Sequence, residues 1–283
     1  MNLLSCQWPP WLYSPPVIKF LSEKSMYPDD ILPGVDLYTI MLCAGVLTAM
    51  LIFRFFSDRR GFSSRLNNFV LAEGVVAVIL GYGSAVLFQA IYNAIESGIF
   101  TLDSSTGATF YGGFIGGAAV FLIIYFGVGH FVFRDGENVR RVEEVISICA
   151  AAVCAAHSLG RIGCLFAGCC YGKVTDSVFS VYNAYLDARV VPVQLYESLF
   201  LAALFGFLCF RLVKKKDKSL PIYLIAYGIW RFFVEYMRTD DRGGSPVSFL
   251  TPSQLTALLL IAVGAVLIAV SYFIGKRKNK EPR

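Results

Sequence analysis

Leu255-Thr-Ala-Leu-Leu-Leu-Ile-Ala-Val-Gly-Ala-Val-Leu-Ile-Ala-Val-Ser-Tyr-Phe-Ile274 runs for 20 residues without a charge, and Lys276, Arg277 and Lys278 follow almost at once. About 20 mostly apolar residues are what an α-helix needs to cross the hydrocarbon of a bilayer. Hydrocarbon offers the backbone no hydrogen-bond partner, so a run this long without two-residue alternation has to be helical. Similar stretches lie upstream, near residues 35–53, 69–92, 110–129, 145–168, 191–212 and 220–237. With the last, near 250–274, they predict an all-α integral membrane protein of about seven transmembrane helices.

Composition points the same way. Of 283 residues, 56% are hydrophobic and only 16% charged, with a mean hydropathy of +0.61. Soluble domains carry about 25% charged residues, so soluble globular, disordered, collagen-like and coiled-coil classes are excluded, and nucleic acid is not an expected partner. The net charge of +5 says less than where the charge lies. Arg54, Arg59, Arg60 and Arg65 follow the first span, and Arg134, Arg140 and Arg141 the third. Arg211, Lys214, Lys215, Lys216 and Lys218 follow the fifth, and Lys276, Arg277, Lys278, Lys280 and Arg283 the seventh; these are 17 of the 25 basic residues. Positive loops face the cytoplasm, which predicts an N-terminus outside and a C-terminus inside. Three parts are expected: an external arm over 1–34, a transmembrane domain over 35–274 and a basic cytoplasmic tail over 275–283. No cleavable signal peptide is expected, because Pro9, Pro10, Pro15 and Pro16 interrupt any apolar leader.

Charged side chains are costly at mid-membrane, so those inside spans mark function or internal pairing. In His157-Ser-Leu-Gly-Arg161-Ile-Gly-Cys164-Leu-Phe-Ala-Gly-Cys169-Cys170-Tyr-Gly172, His157 and Arg161 are four apart and share a helix face. A guanidinium forms bidentate bonds to phosphate, which suits an anionic head group; an arginine reaching to the interface is the competing reading. In the second segment Tyr227, Arg231 and Glu235 recur every fourth residue, a polar stripe on an apolar helix. Glu235 has Arg231 and Arg238 in range, and a structural ion pair competes with a binding role. Two cations against one carboxylate on that stripe leave positive charge for a ligand. Tyr111-Gly112-Gly113 with Gly116-Gly117 permits close helix approach. Pro192 opens a helix carrying Gln194 and Glu197 in its first turns. Glu73 and His130 lie near span ends, where an interfacial position is expected.

Cys164, Cys169 and Cys170, with His157 nearby, raise the question of zinc. Their spacing fits no familiar zinc pattern, and adjacent cysteines on an α-helix diverge by about 100°. A relaxed disulfide between neighbours is also disfavoured. No metal and no other cofactor is expected.

Taken in order, these clusters resemble the prolipoprotein diacylglyceryl transferase family of bacterial membrane enzymes over roughly residues 35–275. The resemblance rests on Tyr111-Gly112-Gly113 with Ile115-Gly116, Gly160-Arg161-Ile162-Gly163 with Gly168 and Tyr171-Gly172, Pro192 with Gln194-Leu195-Tyr196-Glu197, and Tyr227-Gly228 with Arg231 and Glu235. It implies an inner-membrane enzyme that moves the diacylglyceryl group of phosphatidylglycerol to the lipobox cysteine thiol in the signal peptide of a preprolipoprotein. Arg161 and Arg231 are implied as phosphate-binding or catalytic residues. Tyr227, Glu235, Gln194, Gly112, Gly113, Gly172 and Tyr38 are implied at the substrate site. Well-known members have His where this chain has Tyr111, Asn where it has Cys164 and Glu where it has Cys169. Tyrosine is a poor base near neutrality, so His157 joins Tyr111 as a candidate for proton transfer. A lipid-group transferase with another acceptor, or an anionic-lipid binding or transport protein, remains as the alternative.

Overall fold

The computed structural model describes residues 35–103, 106–184, 186–238 and 249–278, without the side chains at 96, 97, 110, 111, 274, 275, 277 and 278. The expected arm over 1–34 and the tail from 279 onward lie outside the described residues. The principal helices are α1 (Leu37–Arg59), α2 (Ser64–Ser97), α3 (Phe110–Ile123), α4 (Glu137–Phe166), α5 (Val193–Val213), α6 (Ser219–Val234) and α7 (Pro252–Lys278). A π-helical turn, Ile124–Val128, and one further turn, Gly129–Val132, prolong α3.

Among the described residues six helices are long and apolar enough to cross a membrane, so this is a multi-pass membrane protein. The expected seventh, near 220–237, is α6, which has 16 residues. At 1.5 Å per residue it reaches about 24 Å, short of a hydrocarbon core of roughly 30 Å. Other helices overrun their apolar stretches, because caps and charged turns continue the backbone pattern beyond the lipid-facing residues. α1 is capped by Asp36, whose Oδ1 accepts the Thr39 amide at 2.7 Å. Hydrogen bonds from Thr39 hold that carboxyl below the usual carboxylate range.

The chain folds as two compact units: Met50–Ile148, and the residues up to Ala49 together with those from Cys149 onward. In the first, α2 and α3 meet through small residues. A Cβ on Gly112 would lie 2.6 Å from Phe88 Cβ, one on Gly81 3.1 Å from the Gly113 carbonyl oxygen, and Ser84 Oγ donates to Gly112 O at 3.0 Å. Glu137 accepts from the amide and hydroxyl of Ser63, at 3.1 and 2.6 Å, and Glu144 pairs with Arg60 and Arg141 at 3.2 and 2.7 Å. These contacts tie the two basic loops together. His130 is exposed. Glu73 is buried in the protein, 2% exposed, in the third turn of a helix that begins at Ser64 rather than near 69, and neither carboxyl oxygen has a hydrogen-bond partner among the described residues.

In the second unit, Cys154 Sγ donates to Leu201 O at 3.4 Å and Ser158 Oγ to Ser198 O at 2.9 Å, joining α4 to α5. A Cβ on Gly45 of α1 would lie 3.2 Å from Ala156 O of α4. Phe200 of α5 stacks on Trp230 of α6, ring centroids 4.4 Å apart. Between α4 and α5, strands β1 (Val181–Asn183) and β2 (Ala188–Val190) form an antiparallel hairpin, Val181 opposite Val190. Val181 and Val190 bury themselves with Leu165, Tyr171 and Leu195, so the hairpin folds back over the end of α4. Outward faces are apolar: Leu199, Phe207 and Phe210 of α5 and Leu259 and Val266 of α7 are exposed. Against lipid tails, which are as apolar as leucine, such faces carry no penalty.

α6 and α7 approach backbone to backbone. A Cβ on Gly228 would sit 2.8 Å from Ala257 O and 2.8 Å from Ile261 Cγ1, and one on Gly264 would sit 2.6 Å from Ile225 Cγ1 and 3.0 Å from Pro221 O. A carbonyl cannot rotate away, so Gly228→Ala is expected to destabilise the unit by about 1–3 kcal/mol, the range for overpacking. Thermal melting in detergent measures this; an unchanged midpoint would show the contact to be looser than described.

Candidate active site

α4, α5 and α6 bring three of their polar side chains to one point. Arg161 Nη2 lies 3.1 Å from Glu197 Oε1 and 3.3 Å from the Tyr227 hydroxyl, which donates to the same Oε1 at 2.7 Å. Glu197 is fully buried. One turn before Arg161, His157 Nδ1 is 2.9 Å from the Tyr223 hydroxyl, and its ring stands edge-on to Tyr227 with centroids 4.8 Å apart. Tyr223 and Tyr227 are themselves stacked at 6.0 Å.

The second guanidinium stands one turn beyond Tyr227. Arg231 Nη2 lies 2.9 Å from Glu235 Oε2 and donates to Ser253 Oγ of α7 at 2.9 Å. Glu235 Oε1 in turn accepts from Thr251 Oγ1 at 3.0 Å. Arg161 and Arg231 both lie within electrostatic reach of Tyr227 and of His157. Each is held on one edge by a carboxylate, while Arg161 Nε and Arg231 Nη1 are buried with no hydrogen-bond partner among the described residues. Buried N–H donors without acceptors are costly, and a phosphate oxygen meets that deficit with a charge-assisted bond.

On the α6 stripe Glu235 takes Arg231, while Arg161 of α4 is taken by Glu197 from α5, and Arg238 is a third buried guanidinium. Glu197 was legible as a carboxylate within an apolar span, three residues after Gln194. Tyr223 continues the Tyr227–Arg231–Glu235 stripe back by one turn. Ser253 carried no signal.

The other expected residues fall into two groups. In the same unit, Tyr38 of α1 packs on Gly163, where a Cβ would lie 3.2 Å from Tyr38 Cδ2. The Gln194 side-chain amide donates to the Cys169 carbonyl. Gly172 donates to Val191 O at 2.9 Å and bridges to Arg238; a Cβ there would be 2.7 Å from Met237 O, so only glycine fits. Tyr111, Gly112 and Gly113 begin α3 in the other unit. There Gly112 and Gly113 pack on α2, and the Tyr111 side chain lies outside the described residues.

After α4 the chain reverses. Gly168 and Cys170 take left-handed backbone conformations, φ 63° and 62°, Asn183 Nδ2 donates to Gly168 O at 2.9 Å and Cys169 N donates to Cys164 O at 3.2 Å. The sulfurs of Cys164, Cys169 and Cys170 consequently lie within 4.8 Å of one another. The sequence-based divergence of adjacent cysteines assumed a helix; the helix ends at Phe166, and that removes the objection.

Comparison with known proteins adds relatives to this geometry. Residues 31–270 match the family model described as Prolipoprotein diacylglyceryl transferase. The phosphatidylglycerol–prolipoprotein diacylglyceryl transferase of Clostridium tetani is 30% identical over 247 residues, covering 83% of this chain and 93% of that protein. An enzyme of the same name from Clostridium perfringens is 29% identical over 254 residues (86% and 94%), and one from Dehalococcoides mccartyi is 28% identical over 262 residues (87% and 92%).

Proposed function

The chain belongs to the prolipoprotein diacylglyceryl transferase family, and from that premise we propose that it transfers the diacylglyceryl group of phosphatidylglycerol to the cysteine thiol of a prolipoprotein. The thiol attacks the glycerol carbon that bears the phosphodiester, and glycerol phosphate leaves. What supports the reading is the pair of carboxylate-held guanidiniums, Arg161 and Arg231, each with a buried N–H donor without an acceptor among the described residues. Donors set in advance around a leaving phosphate stabilise charge as it develops. Glu197 and Glu235 orient the two forks, and Tyr227 fixes Arg161 against Glu197. Tyr38, Gln194 and Gly172 shape the loop beside Arg161, and Tyr111 with Gly112 and Gly113 completes the family motif. Purified protein incubated with phosphatidylglycerol and a lipobox peptide should add one diacylglyceryl mass to the peptide. Lipid binding without a mass change would overturn the reading in favour of a binding or transport protein.

His157 is the proposed proton acceptor. The tautomer that donates Nδ1–H to Tyr223 carries its lone pair on Nε2. His157→Gln is expected to slow transfer by about 10²–10⁴-fold, the usual worth of general base catalysis, with lipid binding retained. A rate equal to the parent's would remove His157 from the mechanism.

The proposed orientation keeps the N-terminus outside and the C-terminus in the cytoplasm of the bacterial inner membrane, where signal peptides of preprolipoproteins and membrane phospholipids are both at hand. It requires α6 to cross. Continued by the 3₁₀ turn Glu235–Met237, which rises about 2 Å per residue, that segment attains roughly 30 Å. Placing a cysteine label at residue 217 of a cysteine-depleted variant and testing its reactivity from either side of sealed vesicles checks the topology; labelling from outside would overturn it.

A further inference from the structure

The thiol cluster is unused by the chemistry described so far, and it sits beside it. Cys164 lies three residues after Arg161 in α4; the loop carrying Cys169 and Cys170 is clamped by Gln194 on the Cys169 carbonyl and Asn183 on the Gly168 carbonyl. Arg161 and Arg238 are within electrostatic reach of Cys170, and the Tyr38 phenol within reach of all three thiols.

We propose that Cys164, Cys169 and Cys170 bind one Zn2+ as a three-thiolate site whose fourth ligand is the acceptor thiol that the enzyme alkylates. The proposal rests on the transferase reading for its fourth ligand and on geometry for the other three. Zinc–sulfur bonds of about 2.3 Å in a tetrahedron set sulfurs about 3.8 Å apart, so a cluster already within 4.8 Å closes by side-chain rotation alone. Polar clamps behind the ligating loop are the outer support that metal sites require. Among the described residues the cluster has three members. Three protein ligands and one open position distinguish catalytic zinc from structural zinc, which is closed by four. Zinc with thiolate ligands carries surplus negative charge, and the Arg161 and Arg238 guanidiniums lie within electrostatic reach of it.

The chemistry balances without an oxidant. The incoming thiol binds zinc and loses its proton, because a coordinated thiol is deprotonated. Its sulfur lone pair forms the S–C bond to the glycerol carbon. The C–O bond breaks with its electrons going to the phosphate oxygen, glycerol phosphate departs as its dianion, and the proton from the thiol goes to His157, the base proposed above. The thioether product has no charge, ligates weakly and leaves the metal. A metal that ionises the acceptor thiol lets a modest base such as His157 take the proton.

The full chain, purified in detergent with phosphatidylglycerol, should hold one zinc per molecule by elemental mass spectrometry. Zinc X-ray absorption should report three sulfurs and one lighter ligand, and four sulfurs after adding a lipobox peptide without lipid. Cys169 is exposed, so Cys169→Ser folds; it should weaken zinc binding by more than the about 10- to 100-fold that loss of an outer support costs. Cys209→Ser, on α5, should keep both metal and activity. Stripping zinc from the unmodified chain with a chelator should reduce transfer by about tenfold or more, restored by Zn2+ and not by Mg2+. Absence of zinc, retention of zinc by Cys169→Ser at unchanged affinity, or full-rate transfer by the stripped chain each overturns the proposal while leaving the transferase reading in place. Zinc held by three sulfurs with no diacylglyceryl product under any metal condition overturns the transferase reading, and with it the role assigned to the zinc.

Discussion

Arg231→Lys is expected to lower diacylglyceryl transfer by about 10²–10³-fold, as removal of a transition-state donor does, with the melting midpoint of the detergent-solubilised chain close to that of the parent. Lysine keeps the charge and reaches Glu235, so the ion pair on α6 survives. What it lacks is the planar fork. Arg231 uses one nitrogen for both Glu235 and Ser253 and keeps Nη1 without a partner among the described residues; an ammonium has no second edge to offer a phosphate. Because the missing bonds strengthen as the leaving group gains charge, the loss should fall on kcat more than on KM. A variant turning over near the parent rate, or one affected only in KM, would remove Arg231 from the reacting phosphate.

Glu197→Leu is expected to act on the fold itself. The carboxylate is fully buried and accepts from Arg161 and Tyr227 together, so its removal strands a guanidinium and a hydroxyl. Breaking a buried pair on one side costs about 3–5 kcal/mol, enough to collapse expression or the melting transition. The double variant Arg161→Met with Glu197→Leu removes both charges, and should regain much of the stability while remaining inactive. A single Glu197→Leu chain that melts like the parent would mean that Arg161 finds compensation elsewhere. An active double variant would exclude Arg161 from the chemistry.

Much of the architecture was legible because lipid imposes so strict a rule on the backbone. Runs such as Leu255–Ile274 cannot be anything but helical, and α1, α2, α4, α5 and α7 stand where apolar stretches placed them. Ends were less legible, since Ser63 and Asp36 cap helices through local hydrogen bonds that hydropathy does not register. The far end of α6 was less legible: its last turn is drawn tighter at Glu235, so α-helix stops at Val234, three residues before the apolar stretch does. At the site, the four-residue spacing along α6 found Tyr227, Arg231 and Glu235. The pairing of Arg161 with Glu197 needed two helices to meet, and no spacing within one segment encodes that. The thiol cluster was dismissed for a helical reason that ended with the helix at Phe166. Reversal through left-handed Cys170 is a tertiary event, held by Asn183 and Gln194 from outside the segment.

Gly228 and Gly264 have a bearing on Arg231 and Ser253, which hold each other across the same pair of helices. Where two helices are kept apart by side chains, their spacing drifts as those side chains change rotamer. Here main-chain atoms abut directly, and main-chain atoms have no rotamers to change. The sliding register between α6 and α7 is thereby locked, and the guanidinium keeps its aim whether the surrounding acyl chains are stiff or fluid.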